Sequence, residues 1–393
     1  MKQELFDQKK THLICVDTTL LRFGSSLRGI PQVVFILLDI LREPPFLGKT
    51  RFLAYPDVAE KFLRPFGIMD ADIVIVPSVP WLGKWDRFHC FFSTWRFRKA
   101  VKGCNLLVHP EARSMTRLPI TQAVIWYDFL QIEGRWKPRL KPSRYLFTLY
   151  KYRLAMRRAW GITISQHTRQ EALRNFPWAD PSRLTPIWLG VRKGLKPKKT
   201  PVAKPLHLPL RCVYVGSLEE RKNVFAMLNR LKDIFGELPF ILNLAGKISE
   251  DERKRAERIL TESSLGEKVC IRGRLSDEEL VELMEQSEVT LFPSLGEGFG
   301  LPVAEGMMHG HVVFAFKNTS IPEVGGAAIV LAEDDDFTAW GRELQKLVED
   351  SEACLTLRDK AIKRAEFYSQ ENMKTRFRNH FQKLLYEGAP KAQ

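Results

Sequence analysis

No Cys-x-x-Cys spacing occurs in the 393 residues; the six cysteines, Cys15, Cys90, Cys104, Cys212, Cys270 and Cys354, are scattered. Neither a zinc ribbon nor a disulfide framework fits that distribution. Several lie in apolar runs such as Leu13-Ile14-Cys15-Val16 and Val269-Cys270-Ile271, so they read as buried thiols. Long apolar runs are lacking too. The longest, Ile30 to Leu41, has twelve residues and contains Asp39, whereas a spanning helix needs about 20. Met1 to Lys10 is polar and charged without an apolar central region, so no secretory signal is read and a cytoplasmic protein is expected. Composition is that of a globular chain, 45% hydrophobic and 27% charged, and the length suggests two domains.

Acidic residues are scarce where basic ones are dense. Of the net charge of +15, most comes from Lys84 to Arg158, which holds 17 Lys or Arg against Asp86, Glu111, Asp128 and Glu133. Aromatics such as Trp85, Trp95, Trp136, Tyr145 and Tyr150 interleave with these cations. Basic groups beside amphipathic rings suit an anionic membrane surface. The alternatives are a solvated face over core aromatics, or nucleic acid, for which no recognition motif is present.

Short β-rich runs recur at His12–Val16, Ile73–Pro77, Asn105–His109, Ala123–Tyr127 and Ile162–Ser165, separated by amphipathic stretches. Such runs predict buried parallel strands of a doubly wound α/β domain. The Lys- and Pro-rich stretch after Val191 predicts a linker. A second series follows: Cys212–Val215, Phe240–Leu244, Lys268–Ile271, Val289–Pro293, Val312–Phe316 and Ala327–Leu331, with helical patterns over Lys222–Phe235 and Ser276–Gln286. The expected division is residues 1–198 as one Rossmann-like domain and 208–371 as another. A C-terminal helix, 372–393, is expected to pack back on the first.

Open parallel sheets bind ligands beyond the carboxyl ends of their strands. The densest signal there is Ser294-Leu295-Gly296-Glu297-Gly298-Phe299-Gly300-Leu301-Pro302-Val303-Ala304-Glu305-Gly306. Glycines let a backbone approach a ligand, and the helix that follows offers free N–H groups to an anion such as a diphosphate. Glu297 and Glu305 can accept hydrogen bonds from sugar or ribose hydroxyls.

This string resembles the E-G-F-G-L-P-x-x-E signature of the large retaining glycosyltransferase family numbered four, matching it at every fixed position from Glu297 to Glu305. The resemblance implies a GT-B fold, two facing Rossmann-like domains with a cleft between them. It implies that Glu297 holds the donor sugar, that the Gly298, Phe299, Gly300 and Leu301 backbone contacts sugar and phosphate, and that Glu305 binds ribose. Val215-Gly216-Ser217-Leu218-Glu219-Glu220-Arg221-Lys222-Asn223 is similar to the family's diphosphate-gripping turn, implying charge neutralisation by Lys222 and Arg221 and donor contacts from Gly216 and Ser217. Ser217 stands where many relatives carry Arg. Arg272, in Ile271-Arg272-Gly273, is expected near the base. Gly29, in Arg28-Gly29-Ile30, is similar to the family's acceptor-domain loop, and Leu189-Gly190-Val191 to its Asn-Gly-Val. Trp126-Tyr127-Asp128 resembles the His-Asp stretch with tyrosine in place of histidine; Asp128 is the candidate to orient the acceptor. Glu323, in Ile321-Pro322-Glu323, reads as structural, and His167 as a helix residue.

The implied reaction is hexosyl transfer with retention, with no metal or other cofactor. Within the family the chain is similar to bacterial surface-polysaccharide mannosyltransferases, which implies GDP-mannose as donor and a lipid-linked or oligosaccharide glycan as acceptor, on the inner face of the cytoplasmic membrane. A UDP-sugar donor, a glycosidase using the paired glutamates and a sugar-nucleotide-binding subunit without activity are the competing readings.

Overall fold

The computed structural model describes residues 14–23, 30–76, 94–95, 97–130, 132, 142–192 and 205–386. They divide into two compact units. One holds the residues up to Ile164, Thr168–Ile187 and those from Lys374 onward; the other holds Ser165–His167 and Trp188–Met373.

The first unit is built on seven parallel strands: β1 (Ile14–Asp17), β2 (Thr50–Ala54), β3 (Ile73–Ile75), β4 (Leu106–His109), β5 (Thr121–Trp126), β6 (Trp160–Thr163) and β7 (Leu184–Pro186). They lie in the order β3-β2-β1-β4-β5-β6-β7, with Ile14 opposite both Thr50 and Leu106. Both β1 and β4 are buried along their whole length, the mark of central strands covered on two faces. Two strands differ from the sequence reading, which contains neither β2 nor β7. Arg51 interrupts the apolar run of β2 and donates to the carbonyls of Ala100 and Lys102. The three-residue β7 ends on Pro186, which is tolerated because a proline without an N–H can sit on a sheet edge.

Helices α1 (Ile30–Leu41), α2 (Pro142–Arg158) and α3 (Gln166–Asn175) belong largely to this unit. A cluster around Trp126, Phe129, Tyr152 and Phe176 packs α2 and α3 against β5; Trp126 and Phe129 stack at 5.1 Å. The final helix, Gln370–Tyr386, adds to the unit from Lys374. Lys374 Nζ lies 3.6 Å from Asp39, Arg378 Nη2 lies 2.8 Å from Glu43, and the Phe381 ring meets Phe46.

The second unit has six parallel strands, β8 (Leu210–Val215), β9 (Phe240–Ala245), β10 (Val269–Gly273), β11 (Val289–Phe292), β12 (Val312–Phe316) and β13 (Val330–Ala332), ordered β10-β9-β8-β11-β12-β13. Its core gathers Phe314, Phe316, Phe337 and the fully buried Trp340. The helical pattern over Lys222–Phe235 is broken into α4 (Val224–Asn229) and α5 (Leu231–Phe235), because Asn223 takes a left-handed φ of 56° and Arg230 leaves helical geometry. Helix α6 (Glu250–Glu262) and helix α7 (Asp277–Gln286) each begin with a reciprocal capping box, Ser249 with Glu252 and Ser276 with Glu279, which satisfies two N-terminal amides apiece.

The expected break after residue 198 falls outside the described residues, but Trp188–Arg192 already group with the second unit. Trp188 Nε1 donates to Glu323 Oε1 at 2.5 Å, and the Val191 amide to the Tyr368 carbonyl at 2.9 Å. Five of the six cysteines are described and free, with Cys15, Cys212 and Cys354 buried. Cys15 and Cys104 bring their sulfurs within 2.7 Å.

Candidate donor site

Strand order in the second unit reverses between β8 and β11. Loops leaving neighbouring strands at such a point part to opposite sides and leave a crevice, where ligands of open α/β sheets bind. The loop after β8 carries Gly216 to Lys222; the loop after β11 carries Pro293 to Gly300. They are tied together, the Leu295 amide donating to the Arg221 carbonyl at 2.9 Å.

Glu297 is the hub of these loops. Its Oε1 lies 2.5 Å from Lys222 Nζ, 3.0 Å from Arg221 Nη1 and 2.5 Å from Ser294 Oγ. Its amide donates to Thr319 Oγ1 and its carbonyl accepts from Ser320 Oγ, both at 3.0 Å. Arg221 also donates to the Gly296 carbonyl. Burial works to raise the Glu297 pKa, but Lys222, then Arg221, and the hydrogen bonds from Lys222 and Ser294 outweigh it, so the carboxyl is held below its ordinary range. It is therefore a carboxylate at neutral pH, next to two cations with room for more acceptors. Lys222 reaches it from a 3₁₀ turn, Glu220–Lys222, that ends at the left-handed Asn223, whose Nδ2 donates to Asp335.

Helix α8 (Leu301–Met308) starts from Gly300 at φ 94° with Pro302 in its first turn. A Cβ on Gly300 would come within 2.5 Å of Ile321 Cδ1, the end of a side chain that can shift, so it is the dihedral that calls for glycine in this turn. Phe299 buries its ring against Tyr368, leaving only its backbone available to a ligand. The Gly298 carbonyl accepts from Ser165 Oγ at 2.7 Å. Glu305, in the second turn of α8, is 2% exposed and forms a two-pronged pair with Arg192, Nε to Oε1 at 2.8 Å and Nη2 to Oε2 at 2.9 Å.

The other expected residues are placed as follows. Gly216 and Ser217 leave β8, with Tyr214 Oη donating to the Ser217 carbonyl at 2.5 Å. Arg272 lies within β10 rather than in the loop beyond it, and its Nε donates to Asn243 Oδ1 of β9 at 2.8 Å. Glu323 accepts the Gln166 and His167 amides at 2.7 and 2.9 Å, capping the start of α3. Asp128 belongs to the first unit, just beyond β5, where its Oδ1 accepts the Leu130 amide. Tyr127 beside it has a buried hydroxyl with no hydrogen-bond partner among the described residues; burial first, and Glu111 second, push its pKa well above normal. With Glu111, Trp126, Asp128 and Tyr152 it lines a shallow pocket. Gly29, and residues 84–93, 96, 131 and 133–141 of the basic segment, lie outside the described residues. Asp-x-Asp spacings do occur, at Asp70–Asp72 and Asp334–Asp336, but their members have structural partners: Asp70 pairs with Arg64, Asp334 with Asn318, and Asp336 caps the helix at Phe337.

Residues 206–365 match the family model described as glycosyl transferases group 1. That stretch, less than half of the chain, is similar to the group 1 glycosyltransferases. The chain is 27% identical to the O-antigen chain mannosyltransferase B of Escherichia coli over 57% of its own length and 60% of that protein's. It is 28% identical to the MMP alpha-(1->4)-mannosyltransferase of Mycolicibacterium hassiacum over 61% of its length and 57% of the other's. Each match thus spans less than two thirds of the relative. Among solved structures, sucrose-phosphate synthase from Thermosynechococcus elongatus superposes with a TM-score of 0.75 at 16% identity, covering 96% of this chain and all of that one. That likeness shows the fold, which is GT-B. The matched stretch contains the Glu297 hub, the Lys222 turn and the Glu305 helix. Arg192 lies before its first matched residue, and nothing in the sequence reading singled it out. The one available signal was its place directly after the Leu-Gly-Val that resembles the family's Asn-Gly-Val.

Proposed function

We propose that the chain is a metal-independent retaining glycosyltransferase that moves a hexose, mannose from GDP-mannose, to a glycan acceptor in surface-polysaccharide synthesis. The observation that carries this reading is the ionised Glu297 held against Lys222 and Arg221 where the strand order reverses in the stretch similar to the group 1 glycosyltransferases. In the transfer, the sugar–phosphate bond loosens, positive charge grows on the sugar and negative charge on the departing diphosphate. Lys222 and Arg221 take up the diphosphate charge, and fixed cations in a water-poor site are the strongest available stabilisers of such a step. Glu297 is positioned to hold sugar hydroxyls, so that the acceptor hydroxyl attacks from the leaving-group side. The amides of Gly298 to Leu301 face the diphosphate at the start of α8. With two basic side chains in that role, transfer is expected to persist in chelator.

The choice of mannose leans on the two mannosyltransferase relatives. A UDP-sugar is the alternative. The test is a melting-temperature panel with GDP, UDP, ADP and TDP sugars, followed by transfer assays with the responder. A rise confined to GDP-mannose, of several degrees at a hundredfold excess over Kd, is the expected result. A rise with UDP-sugars alone would transfer the proposal to that donor, and no rise with any of them would leave the family's chemistry absent from this chain.

We also read the first unit as the one that meets an anionic membrane. Along α2, Leu146, Tyr150, Arg153 and Arg157 form one exposed stripe. Beside it Trp178 is 46% exposed under Arg157, Trp95 is 67% exposed, and Arg117 covers Tyr150. No helix among the described residues is long and apolar enough to cross a membrane. Each cation near an anionic surface adds about 1 kcal/mol. Reversing Arg153 and Arg157 to Glu should therefore cut flotation with phosphatidylglycerol vesicles by at least tenfold while leaving neutral-vesicle flotation unchanged.

A further inference from the structure

Glu305 is the carboxylate read above as the ribose partner, yet it is not open to a ligand. Its side chain is 3% exposed, and Arg192 takes both of its oxygens with a planar fork. Arg192 is in turn steadied by Asp277, at the first position of α7, whose Oδ1 lies 3.1 Å from Nη1. A guanidinium facing a carboxylate edge-on supplies two N–H donors at a fixed spacing. The vicinal diol of a ribose supplies two O–H donors of comparable spacing and needs the same edge. The two cannot occupy it together, and at 3% exposure no second approach is open.

We infer that Arg192 is a gate on the ribose subsite: it must leave Glu305 before a nucleoside diol can bind there, and every ligand that engages Glu305 bears the cost of breaking that fork. Asp277 sets how firmly the gate is held. The inference rests on Glu305 being the ribose partner. It goes beyond that reading by naming a residue upstream of the matched stretch that competes with the ligand. Displacing a guanidinium takes two new donors, so a sugar offering a single hydroxyl leaves one carboxylate oxygen unpaired in a buried place, which is costly.

The experiment measures binding of GDP or UDP, whichever binds, and of its 2′,3′-dideoxy counterpart, to the full chain and to Arg192→Ala and Asp277→Asn. With the gate removed, Arg192→Ala should bind the ribonucleotide about five- to tenfold more tightly, the scale of a part-exposed charged pair, and the dideoxynucleotide unchanged. Asp277→Asn, at an exposed side chain that keeps the shape of the native one, should move the same way by about twofold. Weaker ribonucleotide binding in Arg192→Ala would overturn the gate and make Arg192 a support for Glu305 instead. Equal shifts for the ribo and dideoxy ligands would overturn it as well, since Arg192 would then act on the whole site. Equal affinity of the unaltered protein for both ligands would remove Glu305 as the ribose partner, and the gate with it. Absence of any nucleotide binding would overturn the glycosyltransferase reading itself, a result separable from all the others.

Discussion

Lys222→Ala is expected to lower transfer from the nucleotide-sugar by about 10²- to 10³-fold, the usual cost of deleting one fixed donor aimed at developing charge. Most of the loss should fall on kcat, because the diphosphate gains charge as the sugar departs and the lysine is worth more then than in the ground state. The same substitution has a second consequence, since Lys222 is also the nearest cation to a carboxylate that is largely withdrawn from solvent. Arg221 at 3.0 Å and Ser294 at 2.5 Å stay with Glu297, so the cost in stability at neutral pH is about 1–3 kcal/mol, below that of stranding a buried charge entirely.

The pH dependence separates the two roles. A carboxyl whose folded pKa is held below its unfolded value, near 4.3, stabilises the fold above that value, and the contribution is lost as pH falls through the folded pKa. In the unaltered protein the Glu297 contribution should therefore be intact at pH 7 and fade below about pH 4. Without Lys222 the largest opposing influence is gone, burial weighs more heavily, and Glu297 titrates higher. Urea unfolding at pH 7 and pH 4 should show the variant losing less stability than the parent between those two values. A variant with turnover within threefold of the parent, whatever its stability, would take Lys222 out of the reaction and leave it a structural counter-ion.

Much of this site is legible in the chain because its requirements are local. Gly300 calls for glycine by its dihedral, and Glu297 and Lys222 stand in the loops that follow strands whose apolar runs announce them. The GT-B fold is legible for the same reason: central strands buried on both faces read as continuous Val-Ile-Leu runs. What is not legible depends on partners distant in sequence. Arg192 stands at the head of a Lys- and Pro-rich stretch that reads as a linker, and its partners are 113 and 85 residues away. Strand β2 hides behind Arg51, whose hydrogen bonds to Ala100 and Lys102 are made only in the folded sheet. Arg272 reads as a loop residue because the apolar run stops at Ile271, whereas β10 continues through Gly273 and Asn243 on the neighbouring strand holds the guanidinium. Ser294, Thr319 and Ser320 receive no role from the sequence because small hydroxyl residues in loops carry no pattern until Glu297 is placed among them.

The second large effect is expected from a glycine packed behind the Gly216 turn. Gly246 follows β9 with φ at 152°, its amide donating to the Gly273 carbonyl at 2.8 Å. A Cβ there would meet the Gly216 carbonyl oxygen at 1.9 Å and its carbon at 2.6 Å. Those atoms are backbone, so nothing can swing aside; either the chain at Gly246 or the turn at Gly216 has to move. The latter is the turn that leads to Ser217, Arg221 and Lys222. Gly246→Ala should cost about 2–4 kcal/mol, as overpacking against rigid atoms does, seen as a fall in Tm of about 4–16 °C. Gly341→Ala provides the control, because its Cβ would meet the Asp233 carbonyl oxygen at 2.1 Å, in the packing of the Phe337–Glu349 helix on α5 and away from the strand ends that form the site. Both variants should be destabilised alike. At a temperature where both are folded, only Gly246→Ala should lose affinity for the nucleotide-sugar, by tenfold or more, because only there does the displaced backbone lead to Arg221 and Lys222, the cations proposed for the diphosphate. Equal affinity in the two would mean that the Gly216 turn yields without moving Lys222, and that the close approach of the β8 and β9 loops serves the fold alone.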